Sequence, residues 1–161
     1  MPVNIVRLGP EEGLRLRRIR LRSLQDAPEA FASTYAETRS RPTESWHQQV
    51  QDLATFVAVL GEEDVGVVRG GPDADLPKTS WLLSMWVAPE ARGRGVGDAL
   101  IGALVAWARE QGERTLLLEV ADENLSAIRL YARHGFVPTG NTTTLPPPRE
   151  HVSEHERALF L

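Results

Sequence analysis

The sequence contains no cysteine, and that single absence removes disulfides, thiolate metal sites and a cysteine nucleophile. No apolar run is long enough to cross a bilayer. The segment Met1 to Arg7 lacks the apolar stretch of a signal peptide. A cytoplasmic location without membrane association is therefore expected. Positive charge is not in excess: 18 Lys and Arg stand against 22 Asp and Glu, a formal net charge of −4. Broad nucleic-acid binding needs a basic surface and is not expected. The acidic balance suits a cationic partner such as an amine, and equally suits plain solubility. Histidines are few and show no metal-ligand grouping: His47 stands alone, and His151 and His155 lie in a loop and a strand, not on one helix face. No metal is expected. His134, beside Gly135 at a helix end, suits the helix dipole.

What is present fits one folded domain over residues 1–161, with 42% apolar residues to build a core. Val3 to Leu8 reads as a strand ended by Gly9-Pro10, and a helix follows to about Gln25. Leu14, Leu21 and Leu24 share a face of that helix, while Leu16 and Ile19 fall elsewhere. Its arginines (Arg15, Arg17, Arg18, Arg20 and Arg22) spread around it as a solvated surface. Pro42 to Trp46 opens a second helix. Thr55–Leu60 and Val65–Val68 pair as a hairpin across Gly61–Asp64, and Gly70–Pro77 reads as a loop. Trp81–Val87 is an apolar strand, expected to be buried on both faces and stopped by Pro89. A helix from Val96 to Gln111 closes at Gly112, and Thr115–Val120 is a second buried strand. Asn124–His134 is helical, Phe136–Pro138 starts another strand, and His155–Leu161 alternates like a terminal one. That order predicts one α+β domain with a central mixed sheet and the strand–helix–strand unit at its middle.

The most informative stretch is Arg92-Gly93-Arg94-Gly95-Val96-Gly97, between a buried strand and a long helix. Amides at a helix start lack intrahelical partners, and the helix dipole adds partial positive charge. Glycines let backbone approach a bulky anion, and Arg92 and Arg94 add full charges. The sum is a pyrophosphate cradle; the alternative is a glycine-rich surface turn with two solvated arginines. Asp98 stands where a dinucleotide fingerprint needs its third glycine, and no Gly-Lys-Ser/Thr ending is present. Downstream, Asn124 and Tyr131 share a helix face with Ala127 between them, and Leu125 and Ile128 are placed to pack behind. Asn124 also reads as a helix cap and Tyr131 as a core aromatic.

Together these segments resemble the GNAT superfamily of acyl-CoA N-acyltransferases. Its motif Arg/Gln-x-x-Gly-x-Gly/Ala is met by Arg92, Gly95 and Gly97. Its later motif is met by Asn124, Ala127, Tyr131 and Gly135-Phe136. The likeness is clearest from Trp81 to Val137; the N-terminal half matches only in element order. The resemblance implies a mixed, mostly antiparallel, splayed sheet flanked by helices, and N-acetyl transfer from acetyl-CoA to an amine. It implies that Met85, Trp86 and Val87 pair with the pantetheine arm, and that Arg92 to Gly97 hold the pyrophosphate. Asn124 would bind the pantetheine end, and Tyr131 would protonate the departing thiolate. Oligomeric state stays open, with homodimers common in the family.

Glu119 is the candidate base, because an acid stands there in relatives that acetylate protein N-termini; its other reading is a charge on the exposed sheet face. Trp86 or Trp46 are candidates to line an acceptor pocket built by the first two helices and the loops near Gly70–Pro77 and Asn141–Glu150. A catalytically silent acyl-CoA-binding sensor is the alternative function. The acceptor itself is not readable.

Overall fold

The computed structural model describes residues 2–161. Seven strands form one sheet: β1 (Val3–Arg7), β2 (Ala54–Leu60), β3 (Glu63–Pro72), β4 (Thr79–Val87), β5 (Thr115–Ala121), β6 (Val137–Thr144) and β7 (Ser153–Phe160). Their spatial order is β1-β2-β3-β4-β5-β7-β6. All neighbours are antiparallel except β4 and β5, which are parallel. A parallel pair needs a crossover, and α4 (Val96–Glu110) supplies it. The expected mixed sheet, with its strand–helix–strand at the middle, is the one observed.

Two helical layers cover the sheet. Leu100 and Leu104 of α4 are fully buried, and Gly66 and Gly70 of β3 lie directly beneath them. Side chains alternate along a strand, so Arg69 and Gly71 point to the opposite face. There α1 (Gly13–Asp26), α2 (Tyr35–Arg39) and α3 (Thr43–Asp52) pack. The fifth helix, α5 (Leu125–Arg133), leads from β5 to β6.

The buried face of α1 differs from the expected one. Leu16 and Ile19 are 0% and 3% exposed, whereas Leu14 is 52% exposed. Leu21 and Leu24 are buried as expected, but the full buried set, Gly13, Leu16, Ile19, Arg20, Leu21, Ser23 and Leu24, follows helical spacing through two polar residues. Counting apolar residues alone therefore missed the stripe. For the same reason Arg20, expected in solvent, is buried. β3 also runs further than expected: Gly70 and Gly71 belong to the strand, because only small residues fit under Leu104 and beside Leu53. β4 is not buried on both faces, since Leu83 is exposed and Ser84 and Met85 are half-buried.

α1 and α3 touch at backbone level. A Cβ on Gly13 would lie 2.5 Å from the His47 amide nitrogen and 2.7 Å from the Trp46 carbonyl carbon. Backbone cannot yield as a side-chain tip can, so Gly13→Ala must push the two helices apart. We expect a loss of about 1–3 kcal/mol, measured as a lower urea midpoint at unchanged m-value.

Candidate active site

The site begins with a failure of strand pairing. β4 and β5 are joined only from Thr79–Trp81 to Thr115–Leu117, so the β5-facing edge of Leu82 to Val87 has no ladder partner among the described residues. β4 stays bonded to β3, but the register shifts between Val67 and Arg69. Opposite that shift Ser84 has φ of 59°, a left-handed conformation uncommon outside glycine. The hydroxyl of Ser84 accepts from Nε and Nη2 of Arg69 at 3.0 and 2.8 Å. This bulge re-aims the strand beyond it.

After the strand, Gly93 and Gly95 take φ of 76° and 77°. An added Cβ at either would meet nothing within 4 Å; the requirement there is conformational, not steric. Gly95 caps α4 without a side-chain hydrogen bond. The first-turn amides of Val96, Gly97 and Asp98 therefore lack intrahelical acceptors and sit at the positive end of the helix dipole.

Arg92 is less free than the sequence suggested. Its Nε donates to the Val87 carbonyl at 3.1 Å, and its Nη2 to Asp26 Oδ2 at 2.7 Å. The same carboxylate oxygen accepts from the Trp86 indole at 2.9 Å. Arg94 is exposed and does not line the cleft. His134 meets Asp98 at 2.8 Å, and Arg133 bonds the same carboxylate. The His134 contact and then Arg133 hold the Asp98 carboxyl below its ordinary pKa. They fasten the end of α5 to the start of α4.

A cleft of about 910 Å³ brings these parts together, within the range of small-molecule sites. It is lined by Met85, Trp86 and Val87 of the bulged strand, by Arg92, Gly93, Gly95, Val96 and Gly97 of the turn, and by Asn124, Ala127 and Tyr131. Tyr131 is 5% exposed and packs edge-to-face on Phe136 at 5.8 Å between ring centroids. Burial pushes its phenol well above the ordinary value, so it keeps its proton at neutral pH. Asn124 caps α5, its Oδ1 accepting from the Ala127 amide at 3.3 Å. Leu125, expected to pack, is 57% exposed; Ile128 does pack against the core.

Glu119 does not line the cleft. It faces the α1–α3 side of the sheet, opposite Glu156 of β7 and beside Glu154. Burial, then the Glu156 charge, raise its carboxyl above the ordinary range. Trp81 is the last β4 residue paired with β5, and Glu119 follows Leu117 by one same-face step. It stands where the gap opens.

Other expectations are corrected. Trp46 is 0% exposed and sealed in the core, so it lines no pocket. Asp73, in the loop after β3, bonds the Trp81 indole at 2.7 Å, at the paired end of β4 and away from the cleft. The far wall is instead Pro28 to Phe31 with Val152. Arg149 secures that wall, donating to the carbonyls of Pro28 and Phe31 at 2.7 Å and of Ala32 at 2.6 Å. Asp26, Arg69, Ser84 and Arg149 were missed. Each works through a distant partner, and no local motif marks them. Among the described residues no three or more His, Cys, Asp or Glu are grouped to hold a metal. No described helix is long and apolar enough to cross a membrane.

The model of the Acetyltransferase (GNAT) family matches residues 19–136. Mycothiol acetyltransferase of Rhodococcus erythropolis is 29% identical over 135 residues, which cover 80% of this chain and 44% of that protein. Streptothricin acetyltransferase of Streptomyces lavendulae is 34% identical over 110 residues, 68% of this chain and 57% of that protein. The chain thus spans about half the length of these curated relatives. A GNAT-family acetyltransferase structure from Streptococcus pneumoniae superposes with a TM-score of 0.83 at 18% identity, covering 99% of this chain and 100% of that one. The Salmonella typhimurium protein yncA, solved with its cofactor acetyl-CoA, superposes at 0.79 with 19% identity, over 100% and 95% of the two chains. At such identities the superpositions show a shared fold.

Asp26→Ala leaves the Trp86 indole N–H without its acceptor beside the cleft. We expect a loss of about 1–3 kcal/mol, read as a lower midpoint of chemical unfolding.

Proposed function

The chain belongs to the GNAT acetyltransferase family, and from that premise we propose that residues 1–161 form one N-acetyltransferase domain that moves acetyl from acetyl-CoA directly to an amine. The observation that carries this reading is the placement of Tyr131. Its protonated phenol lines a groove that has an uncapped helix N-terminus and an unpaired strand edge as its other walls.

The residues fit the cosubstrate part by part. Uncapped amides of Val96 to Asp98, with the turn from Arg92 to Gly97, suit a diphosphate. The free edge at Met85, Trp86 and Val87 suits the amide groups of a pantetheine arm, as an added strand would. The Asn124 side-chain amide keeps its donors for the end of that arm, because its cap uses only Oδ1. When bound, acetyl-CoA supplies a thioester carbonyl open to attack and a thiolate to leave.

The chain's own groups move the protons. An amine is protonated near neutral pH and must become neutral before it attacks. Glu119 accepts that proton, directly or through water, from the mouth of the gap. Strand amides beside the bulge stabilise the oxyanion that forms. Tyr131 donates to the thiolate as it departs. A catalytically silent acyl-CoA sensor would need the same cradle but not the Tyr131 hydroxyl.

Two experiments test this reading. Tyr131→Phe should lower kcat about 100-fold or more in a thiol-release assay, with the acetyl-CoA Kd unchanged. Tight acetyl-CoA binding by wild type without turnover on any amine would establish the sensor instead. The second test is the pH profile. A base works ionised, and the Glu119 carboxyl titrates above the ordinary range, so the acid limb of kcat/KM should lie above that of an unperturbed glutamate. Glu156→Gln removes the neighbouring like charge and should move that limb to lower pH. An unmoved limb in Glu156→Gln, or an intact limb in Glu119→Gln, removes Glu119 as the base.

A further inference from the structure

Two arginines on the α1–α3 side of the sheet are buried without a carboxylate. Arg20 of α1 is 5% exposed and Arg69 of β3 is 9% exposed. Arg69 donates to the Ser84 hydroxyl and, from Nη1, to Gln49 Oε1 at 2.9 Å. Arg20 donates only to the Ser23 hydroxyl, at 3.3 Å, and stacks over Phe31 at 4.4 Å from the ring centroid. Among the described residues no acid acts on either. Burial, then the like charges of Arg69 and Arg41, push Arg20 down to about 9. Burial and Arg41 push Arg69 down to about 10. Both therefore remain cationic at neutral pH.

Buried charges in folded proteins are paired, because desolvating an unpaired ion is costly. Arg20 and Arg69, with the exposed Arg41 nearby, have no counter-ion among the described residues, so that requirement is unmet. Access exists. Nε and Nη2 of Arg20 have no hydrogen-bond partner, yet they are not among the sealed, unpartnered polar atoms, which among the described residues are Thr38 Oγ1 and Trp46 Nε1. The ring beneath Arg20, Phe31, is itself a wall of the cleft.

The position of this group relative to Glu119 follows from strand register. Gly71, Trp81 and Leu117 lie abreast on β3, β4 and β5. One same-face step on, Arg69, Leu83 and Glu119 form the next row. Two strand spacings separate Arg69 from Glu119, about 10 Å at the backbone, and the splay adds to this. One wall is cationic. The other carries Glu119, Glu154 and Glu156.

We propose that the acceptor is an amine that also carries an oxyanion, a small amino acid, seated with its carboxylate on Arg20 and Arg69 and its amine toward Glu119. This rests on the acetyltransferase reading above. Each end of such a zwitterion meets an opposite charge on the α1–α3 side of the sheet, beside the cleft wall at Phe31. A bidentate guanidinium–carboxylate contact would also use the free Nε and Nη2 of Arg20. Polyamines and other purely cationic acceptors would leave the arginines unpaired and are disfavoured.

The test is a thiol-release panel with the full chain: amino acids, the same amino acids as amides, their decarboxylated amines, and aminoalkylphosphonates of matching length. The wild-type protein should favour the acid over its amide by about 100-fold in kcat/KM. The phosphonate arm shows whether the oxyanion is carboxylate or phosphate-like. Arg20→Gln should remove that preference, mainly through KM, while leaving turnover of the amides and the acetyl-CoA Kd unchanged. Arg20 is preferred to Arg69 for this purpose because Arg69 also holds the bulge. Equal rates on acid and amide by wild type would overturn the proposal, as would an Arg20→Gln variant that slows both alike. If no amine of any kind is acetylated, the enzyme reading fails on its own. The anion site is then read by melting temperature, which millimolar amino acid should raise in wild type and not in Arg20→Gln. No rise in wild type overturns the site.

Discussion

Between Leu82 and Val87 a central strand keeps one neighbour and gives up the other. A sheet interior normally leaves no backbone group without a partner, since an unpaired buried amide or carbonyl costs as much as a lost hydrogen bond. Here the unmatched edge is built in. Ser84 sits in a left-handed conformation held by Arg69, and β5 turns instead to β7, with which it pairs along its whole length. The turn after the strand, the start of α4 and the cap of α5 all converge on that edge. The cleft is what remains when the ladder is interrupted and its mouth is lined with backbone donors.

The two faces of the interruption differ in charge. On the α4 side, backbone dipoles dominate, and the turn before α4 is tied across to α1 by Arg92 on Asp26, which also holds Trp86. One carboxylate there couples the end of α1, the bulged strand and the phosphate-type turn. On the α1–α3 side, full charges dominate, with arginines on one flank and glutamates on the other. Burial first, and like charges second, raise the carboxyls on one flank and lower the guanidiniums on the other. A site divided in this way suits two unlike ligands, one met by backbone hydrogen bonds and the other, as proposed above, by charge at its two ends.

What could be read from the sequence was whatever is local. Arg92 to Gly97, and Asn124 with Tyr131, occupy contiguous stretches that carry the resemblance to the family's motifs, and the cleft gathers all of them except Arg94. The strand–helix–strand unit at the middle of the sheet followed from the order of the elements along the chain. The residues that stayed hidden act across the chain: Asp26 meets Arg92 66 positions away, and Arg149 meets Phe31 118 away. Arg20 was misplaced for a different reason. It lies within the packing stripe of α1, where a periodicity argument expects an apolar residue and reads a charge as surface. β6 announced only its first residues, because a fully exposed edge strand carries no alternation.

Arg149 spans the molecule in an unusual way. It comes from the connection between β6 and β7, yet its guanidinium is taken up by three main-chain carbonyls of the segment after α1. Carbonyl recognition reads the path of the main chain and ignores side-chain identity. This anchorage therefore asks only that the contour of Pro28 to Ala32 be kept; the residue type at Phe31 is constrained separately, by its burial and its contact with Arg20. An insertion or deletion in either segment, by contrast, would have to be answered in the other, and lineages that exchange acceptors should show the two lengths changing together.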